Sequence, residues 1–159
     1  MLVNGHHRMY QFKLKVEIDA TPARVWRALC DPAEVVRWDS GVAAALDAPA
    51  DYPRPGQHVR WRCGSGPFRI LHDRPQEVDP ERKLRSLLAL GPFRYDETYT
   101  IEAIEGGCRL TAALRVWTAA PVLGPAVDRL YLGPSTKASF ESSLASIKRL
   151  CEAADPGSQ

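Results

Sequence analysis

Between His58 and Thr118 the chain passes through five apolar-rich stretches separated by short turn signals, and this rhythm limits the fold more than any other feature. His58–Cys63 ends at Gly64-Ser65-Gly66, Pro67–Val78 at Asp79-Pro80, Lys83–Leu90 at Gly91-Pro92 and Phe93–Ile104 at Gly106-Gly107, and Cys108–Thr118 closes the series. Separators this short join antiparallel neighbours, so the spacing predicts a five-stranded meander. A helix through this region would have to absorb repeated glycine and proline.

The flanks read differently. Tyr10–Ile18 alternates strictly, with Phe12, Leu14, Val16 and Ile18 apolar and Lys13, Lys15 and Glu17 charged, which predicts a strand with one buried face. Thr21-Pro22 then has the form of a helix start, Thr as N-cap and Pro at the first helical position, with Val25, Trp26 and Leu29 at one-turn spacing. Asp31-Pro32, with Glu34 three residues after the Asp, resembles a capping box and predicts a second short helix carrying Val35 and Trp38 on one face. Val42–Leu46 suits a short strand, and Ala48–Gly56, with three prolines, a surface loop. From Pro121 the period becomes helical: Leu123, Val127, Leu130 and Tyr131 share a face, Gly133-Pro134 should kink or break the helix, and Phe140, Leu144, Ile147 and Cys151 resume the spacing.

The order is therefore strand, two short helices, a long meander and one long helix. This is an α+β arrangement in which a curved antiparallel sheet of six or seven strands wraps a C-terminal helix. One helix, about 10–12 Å across, would leave part of so wide a concavity open as an internal pocket. With 159 residues, the chain suits a single domain, expected over residues 9–154, with a leader at 1–8 and a tail at 155–159 without fixed structure.

Twenty-one Lys and Arg against nineteen Asp and Glu demand no polyanionic partner, and no basic run is interleaved with aromatics as nucleic-acid binding would require. Arg60, Arg62, Arg69, Arg85, Arg94, Arg109 and Arg115 suit the wet face of the sheet. Cys30, Cys63, Cys108 and Cys151 lie far apart and read as free, mostly buried thiols of a reducing compartment. With no apolar leader and no apolar run near the ~20 residues of a membrane span, a cytoplasmic protein is expected, as a monomer or weak homodimer.

Ala20-Thr21-Pro22-Ala23-Arg24-Val25-Trp26-Arg27-Ala28-Leu29-Cys30-Asp31, followed by Trp38, resembles the opening of the START/Bet v 1-like (SRPBCC) superfamily. The nearest likeness is to its polyketide cyclase/dehydrase-like and lipid-transport-like branch, with the later Gly-Gly hairpin and the Leu- and Lys-bearing Ser143–Glu152 in keeping. The resemblance runs over roughly Met9–Ala153 and implies a helix-grip fold with a cavity between sheet and final helix. It implies an apolar small-molecule ligand, lipid-like or polyketide-like. It leaves two alternatives: an aromatase, cyclase or dehydratase using the same cavity, and a protein-interaction module related to chaperone cofactors. It carries no catalytic motif to a position of this chain and implies no cofactor.

Strand alternation proposes the cavity wall. On the last strand Leu110, Ala112, Leu114 and Val116 share the apolar face, and on the one before it Tyr95, Glu97, Tyr99 and Ile101 do. Glu97 is thus a carboxylate between two tyrosines on an inner face, where desolvation should raise its pKa. It would pair with an arginine or the neighbouring hydroxyls, orient a ligand, or act as a general acid. If Phe68 and Ile70 face inward, His72 does too and could move protons; a slip of one residue would bury Leu71 instead and leave His72 an ordinary rim residue. Trp38, Trp61 and Leu88 complete the candidate ligand-binding set, which also takes in Ile70, His72, Tyr95, Glu97, Tyr99 and Ala112. Tyr131, just before Gly133-Pro134, is a candidate gate. His58 and Cys63 differ in strand parity, so they do not form a metal site with His72, and no phosphate-binding or dinucleotide fingerprint is present.

Overall fold

The computed structural model describes residues 9–119 and 133–153. Its elements in chain order are β1 (Tyr10–Ile18), α1 (Pro22–Cys30), α2 (Pro32–Trp38), β2 (Val42–Ala45), β3 (Val59–Cys63), β4 (Ile70–Asp79), β5 (Lys83–Leu90), β6 (Phe93–Ile104), β7 (Gly107–Thr118) and α3 (Gly133–Glu152). Seven strands form one antiparallel sheet in the order β1-β7-β6-β5-β4-β3-β2, so the meander closes back on β1. The leader, the tail and the helix expected from Pro121, Tyr131 included, lie outside the described residues, and α3 begins at the predicted Gly133-Pro134 break.

The two short helices start as their caps dictate. The Thr21 hydroxyl accepts from the Arg24 amide (3.2 Å) and the Asp31 carboxylate from the Ala33 amide (2.9 Å), each ahead of a proline at the first helical position. Glu34 does not complete a capping box: the Asp31 amide donates to the Arg27 carbonyl, while Glu34 pairs with Arg24 (2.7 Å) and Arg27 (3.2 Å). Glu34 therefore braces α1 against α2, and Arg24 also donates to the Leu150 carbonyl near the end of α3 (3.3 Å).

Alternation along the strands separates two faces. Tyr10, Phe12, Leu14, Val16 and Ile18 lie opposite Val116, Leu114, Ala112, Leu110 and Cys108, and the β7 side of this seam is buried throughout. α3 packs along β1 and against α1 and α2, burying Leu144, Ile147 and Cys151. In β4 a bulge between Pro75 and Glu77 shifts the pairing by one residue. Pro75 has no amide hydrogen to give a ladder, so a bulge suits it. The shift turns Val78 inward opposite Leu84 and leaves Glu77 outside, where it pairs with Lys83 (2.6 Å) and Arg85 (3.3 Å). The outer face is laced with similar pairs, Arg85 to Asp96 and Arg109 to Glu17 and Glu102, which uses up much of the strand arginines' charge. All four cysteines are free and buried.

Candidate functional site

The inner face of the β3–β6 half of the sheet is roofed by α1, α2 and the β2–β3 loop, not by α3 alone. Between them lies a void of about 60 Å³ walled by Leu29, Val35, Trp38, Asp39, Val42, Tyr52, Trp61, Leu71, Asp73, Leu84, Ser86, Leu88, Glu97 and Tyr99. Pockets that enclose drug-sized ligands run to about 300–1,000 Å³, so this space takes a few water-sized groups. The wide internal pocket expected from one helix over a broad sheet is not seen among the described residues: four aromatic rings occupy that space. Trp38 and Tyr99 meet edge to face at 6.3 Å, and Tyr52 and Trp61 at 5.9 Å.

Five members of the sequence-derived set line this void: Trp38, Trp61, Leu88, Glu97 and Tyr99. Tyr95 and Ala112 are on the inner face but outside it. Ala112 is fully buried in the core between Leu14 and Tyr99, and Tyr95, next along β6, has its hydroxyl pushed up to about 12 by burial. Ile70 and His72 do not face the interior. Trp61 of β3 is buried and pairs with Leu71, so the slipped register holds: Leu71 and Asp73 point in, Ile70 and His72 out. His72 instead stacks on His58 at the surface, with Nε2 of His58 2.9 Å from Nδ1 of His72. Burial and the neighbouring His58 lower the pKa of His72, so it is mostly uncharged near neutral pH.

Sequence reasoning missed Asp39, Tyr52, Asp73 and Ser86. Asp73 was reachable: once Val59, Trp61 and Cys63 are taken as the inner set of β3, hairpin pairing brings Leu71 and Asp73 to the same side. Tyr52 lies in an irregular loop whose path no local pattern reveals.

The chemistry of the site is acidic. Asp73, 4% exposed, accepts at Oδ2 from the Tyr52 hydroxyl (2.8 Å) and the Trp61 indole (3.2 Å). The Ser86 hydroxyl stands near the same carboxyl and favours its charged form without closing a bond to Oδ1, which has no partner. Desolvation nevertheless raises the Asp73 pKa. Asp39 caps the end of α2, accepting from the Gly41 amide (2.8 Å), and burial raises its pKa as well. Glu97 is crowded by protein on every side yet keeps part of its surface on the void. Its pKa is raised well above the usual range by desolvation first and by Asp39 and Asp73 next, against a smaller opposing contribution from the Tyr99 hydroxyl. No Lys, Arg or His lines the void among the described residues. Of the partners weighed for Glu97, the tyrosine hydroxyl is the one found.

Outside the void, Trp26, Arg27, Cys30, Asp31, Pro32, Ala48, Pro49 and Ala50 form an open groove of about 500 Å³, and the Tyr52 ring borders both spaces. A second open groove, on the outer sheet face, is walled by paired charges including Glu77, Lys83, Arg85 and Asp96.

Solved structures share this architecture. Protein CV1439 from Chromobacterium violaceum superposes with a TM-score of 0.72 at 19% identity, over 91% of this chain and 99% of its own. DynU16, a protein of the dynemicin biosynthetic locus, does so at 0.64 and 18%, over 92% of this chain and 48% of its own. The Aha1 dimer from Colwellia psychrerythraea gives 0.64 at 13%, over 89% and 96%. These likenesses are of fold. An uncharacterized protein of Mycobacterium tuberculosis is 28% identical over 164 residues, spanning 91% of this chain and 86% of that protein. The sequence profile of the family described as polyketide cyclase / dehydrase and lipid transport matches residues 9–152, essentially the whole described fold. With that match over nearly all of its length and a helix-grip-like sheet, the chain belongs to the polyketide cyclase/dehydrase and lipid transport family.

Proposed function

We propose that this chain binds an apolar small molecule by its polar end, which seats in the void between α2 and the β3–β6 face. The observation that carries the reading is a buried, partnerless acceptor on the wall of that void: Asp73 Oδ1. A buried polar atom left unpaired costs about 1–3 kcal/mol, which a bound group can recover. Apolar walls from Leu29, Val35, Leu71, Leu84 and Leu88 supply burial at about 25 cal/mol per Å² of ligand surface. The ligand's apolar remainder lies along the outer groove, with Tyr52 turning aside to join the two spaces.

Native mass spectrometry of the purified full chain, before and after organic extraction, tests this. An adduct that extraction removes, and quenching of tryptophan emission when it is added back, are expected. Unliganded protein whose emission is unmoved by fatty acids, fatty amines, alcohols, sterols and aromatic polyketides would refute the reading.

A second reading, cyclase or dehydratase chemistry in the same space, rests on Glu97. Its pKa, raised by desolvation beside Tyr99, suits a general acid. Glu97→Gln then abolishes turnover while ligand still binds; if Glu97 only orients the ligand, the same change weakens binding and leaves no turnover to lose. The interaction-module reading draws no support from the described residues, whose exposed large apolar side chains are Met9 and Leu46.

A further inference from the structure

The void offers acceptors and almost no free donors. The Trp38 indole is given to the Ala28 carbonyl (2.7 Å), and the Tyr52 hydroxyl and Trp61 indole to Asp73. The Tyr99 hydroxyl is turned to Glu97, and the Ser86 hydroxyl stands near Asp73 without closing a bond to Oδ1. What remains open is carboxyl oxygen, from three acids on three separate segments, with aromatic rings between them. A phosphate or carboxylate guest would find like charge there. A guest with several N–H donors and a positive charge would find its complement, both in the oxygens and in the electron-rich ring faces.

We propose that the polar end of the ligand is a protonated amine, an ammonium group on an apolar body, held among Asp39, Asp73 and Glu97 against the rings of Trp38 and Tyr99. This deepens the binding function proposed above and rests on it. The size agrees: about 60 Å³ admits an ammonium head and excludes a bulky body. The acids are not gathered tightly enough for an inorganic ion, since no group of three His, Cys, Asp or Glu among the described residues could hold a metal.

The charge requirement follows from the surroundings. Asp39 comes from the end of α2, Tyr52 from the β2–β3 loop, Asp73 from β4, and Glu97 and Tyr99 from β6; Cys30 of α1 lies near Tyr52, and His58 acts on Asp73 from the outer side. With no internal cation, desolvation makes these acids keep protons more readily than exposed ones do, and an ammonium guest opposes that. Amine binding therefore favours proton release, and a neutral guest does not.

The test uses three probes with one skeleton, octylamine, octan-1-ol and octanoate, added to the full chain. Affinity is read by tryptophan emission and by calorimetry near neutral pH in two buffers of different ionisation enthalpy. Octylamine is expected to bind at least about ten-fold more tightly than octan-1-ol, with proton release, and octanoate most weakly. Glu97→Gln and Asp39→Asn should each lower that preference to about three-fold or less, and Glu77→Gln on the outer face should leave both affinities as they were. Far-UV circular dichroism checks that each variant folds. Octan-1-ol matching octylamine, or Glu77→Gln acting like Glu97→Gln, overturns the amine assignment and leaves small-molecule binding standing. Failure of all three probes to bind removes both.

Discussion

Tyr52 is the residue on which entry to the void turns, because its ring is the partition between void and groove and one hydrogen bond to Asp73 holds it. Tyr52→Phe keeps the ring and deletes the bond. It should cost about 1–2 kcal/mol by denaturant unfolding and raise ligand on- and off-rates together in stopped-flow tryptophan fluorescence. Unchanged rates would mean that the ligand enters elsewhere. Glu97 poses the opposite case. Its pKa is raised in the fold, so the folded state holds its proton more tightly than the unfolded chain does. The stability this contributes is complete below the unfolded value near about 4.3 and is lost as pH rises through the higher folded value. Glu97→Gln removes that loss. The variant should melt higher than the parent at mildly alkaline pH, by about 2–4 °C for each kcal/mol recovered, and match it in acid.

At the scale of elements, β1 and β7 leave no room for a side chain at Gly107. A Cβ on Gly107 would land on the Ile18 carbonyl oxygen, a backbone atom that cannot step aside without opening the ladder. Gly107→Ala should therefore destabilise by about 1–3 kcal/mol. Thermal unfolding checks this, and a melting temperature unchanged from the parent would show that the two strands can part locally. α3 depends on its seam: Ile147 is wholly buried, and Ile147→Ala should cost about 2–5 kcal/mol in urea unfolding. The outer-face pairs of Arg109 are screened by solvent, and cutting one should register little.

Over the whole molecule, two sets of acids oppose one another. Asp47, Glu77 and Glu152 are exposed and held below the usual carboxylate range by hydrogen bonds and charge from Arg60, Lys83 and the Asp19 amide with Lys148. Their contribution exists above the unfolded pKa and is lost as pH falls through the folded values. Asp39, Asp73 and Glu97 are raised, and theirs is lost as pH rises. A melting curve against pH should fall on both sides of a mildly acidic maximum. Added salt should flatten the acid limb, where the groups are exposed, and leave the alkaline limb, which belongs to the interior. A flat alkaline limb in the parent would mean that the interior acids are not desolvated.

Most of the architecture was legible because it rests on local signals. Period-two alternation, the Gly and Pro separators and the Thr21-Pro22 and Asp31-Pro32 caps each act over a few residues, and their number and order leave one antiparallel meander. Glu97, Tyr99, Trp38, Trp61 and Leu88 were legible for the same reason, through strand parity or a helix face. Three things waited for the tertiary structure. The register of β4 depended on its pairing with β3, since either face of Ile70–Arg74 could have been apolar enough to bury. The β2–β3 loop brings Tyr52 over Asp73 across 21 residues, a contact set by chain reversal and not by periodicity. The size of the void depends on how four rings from four segments pack, and their mutual fit is a property of the assembled volume that no single segment encodes.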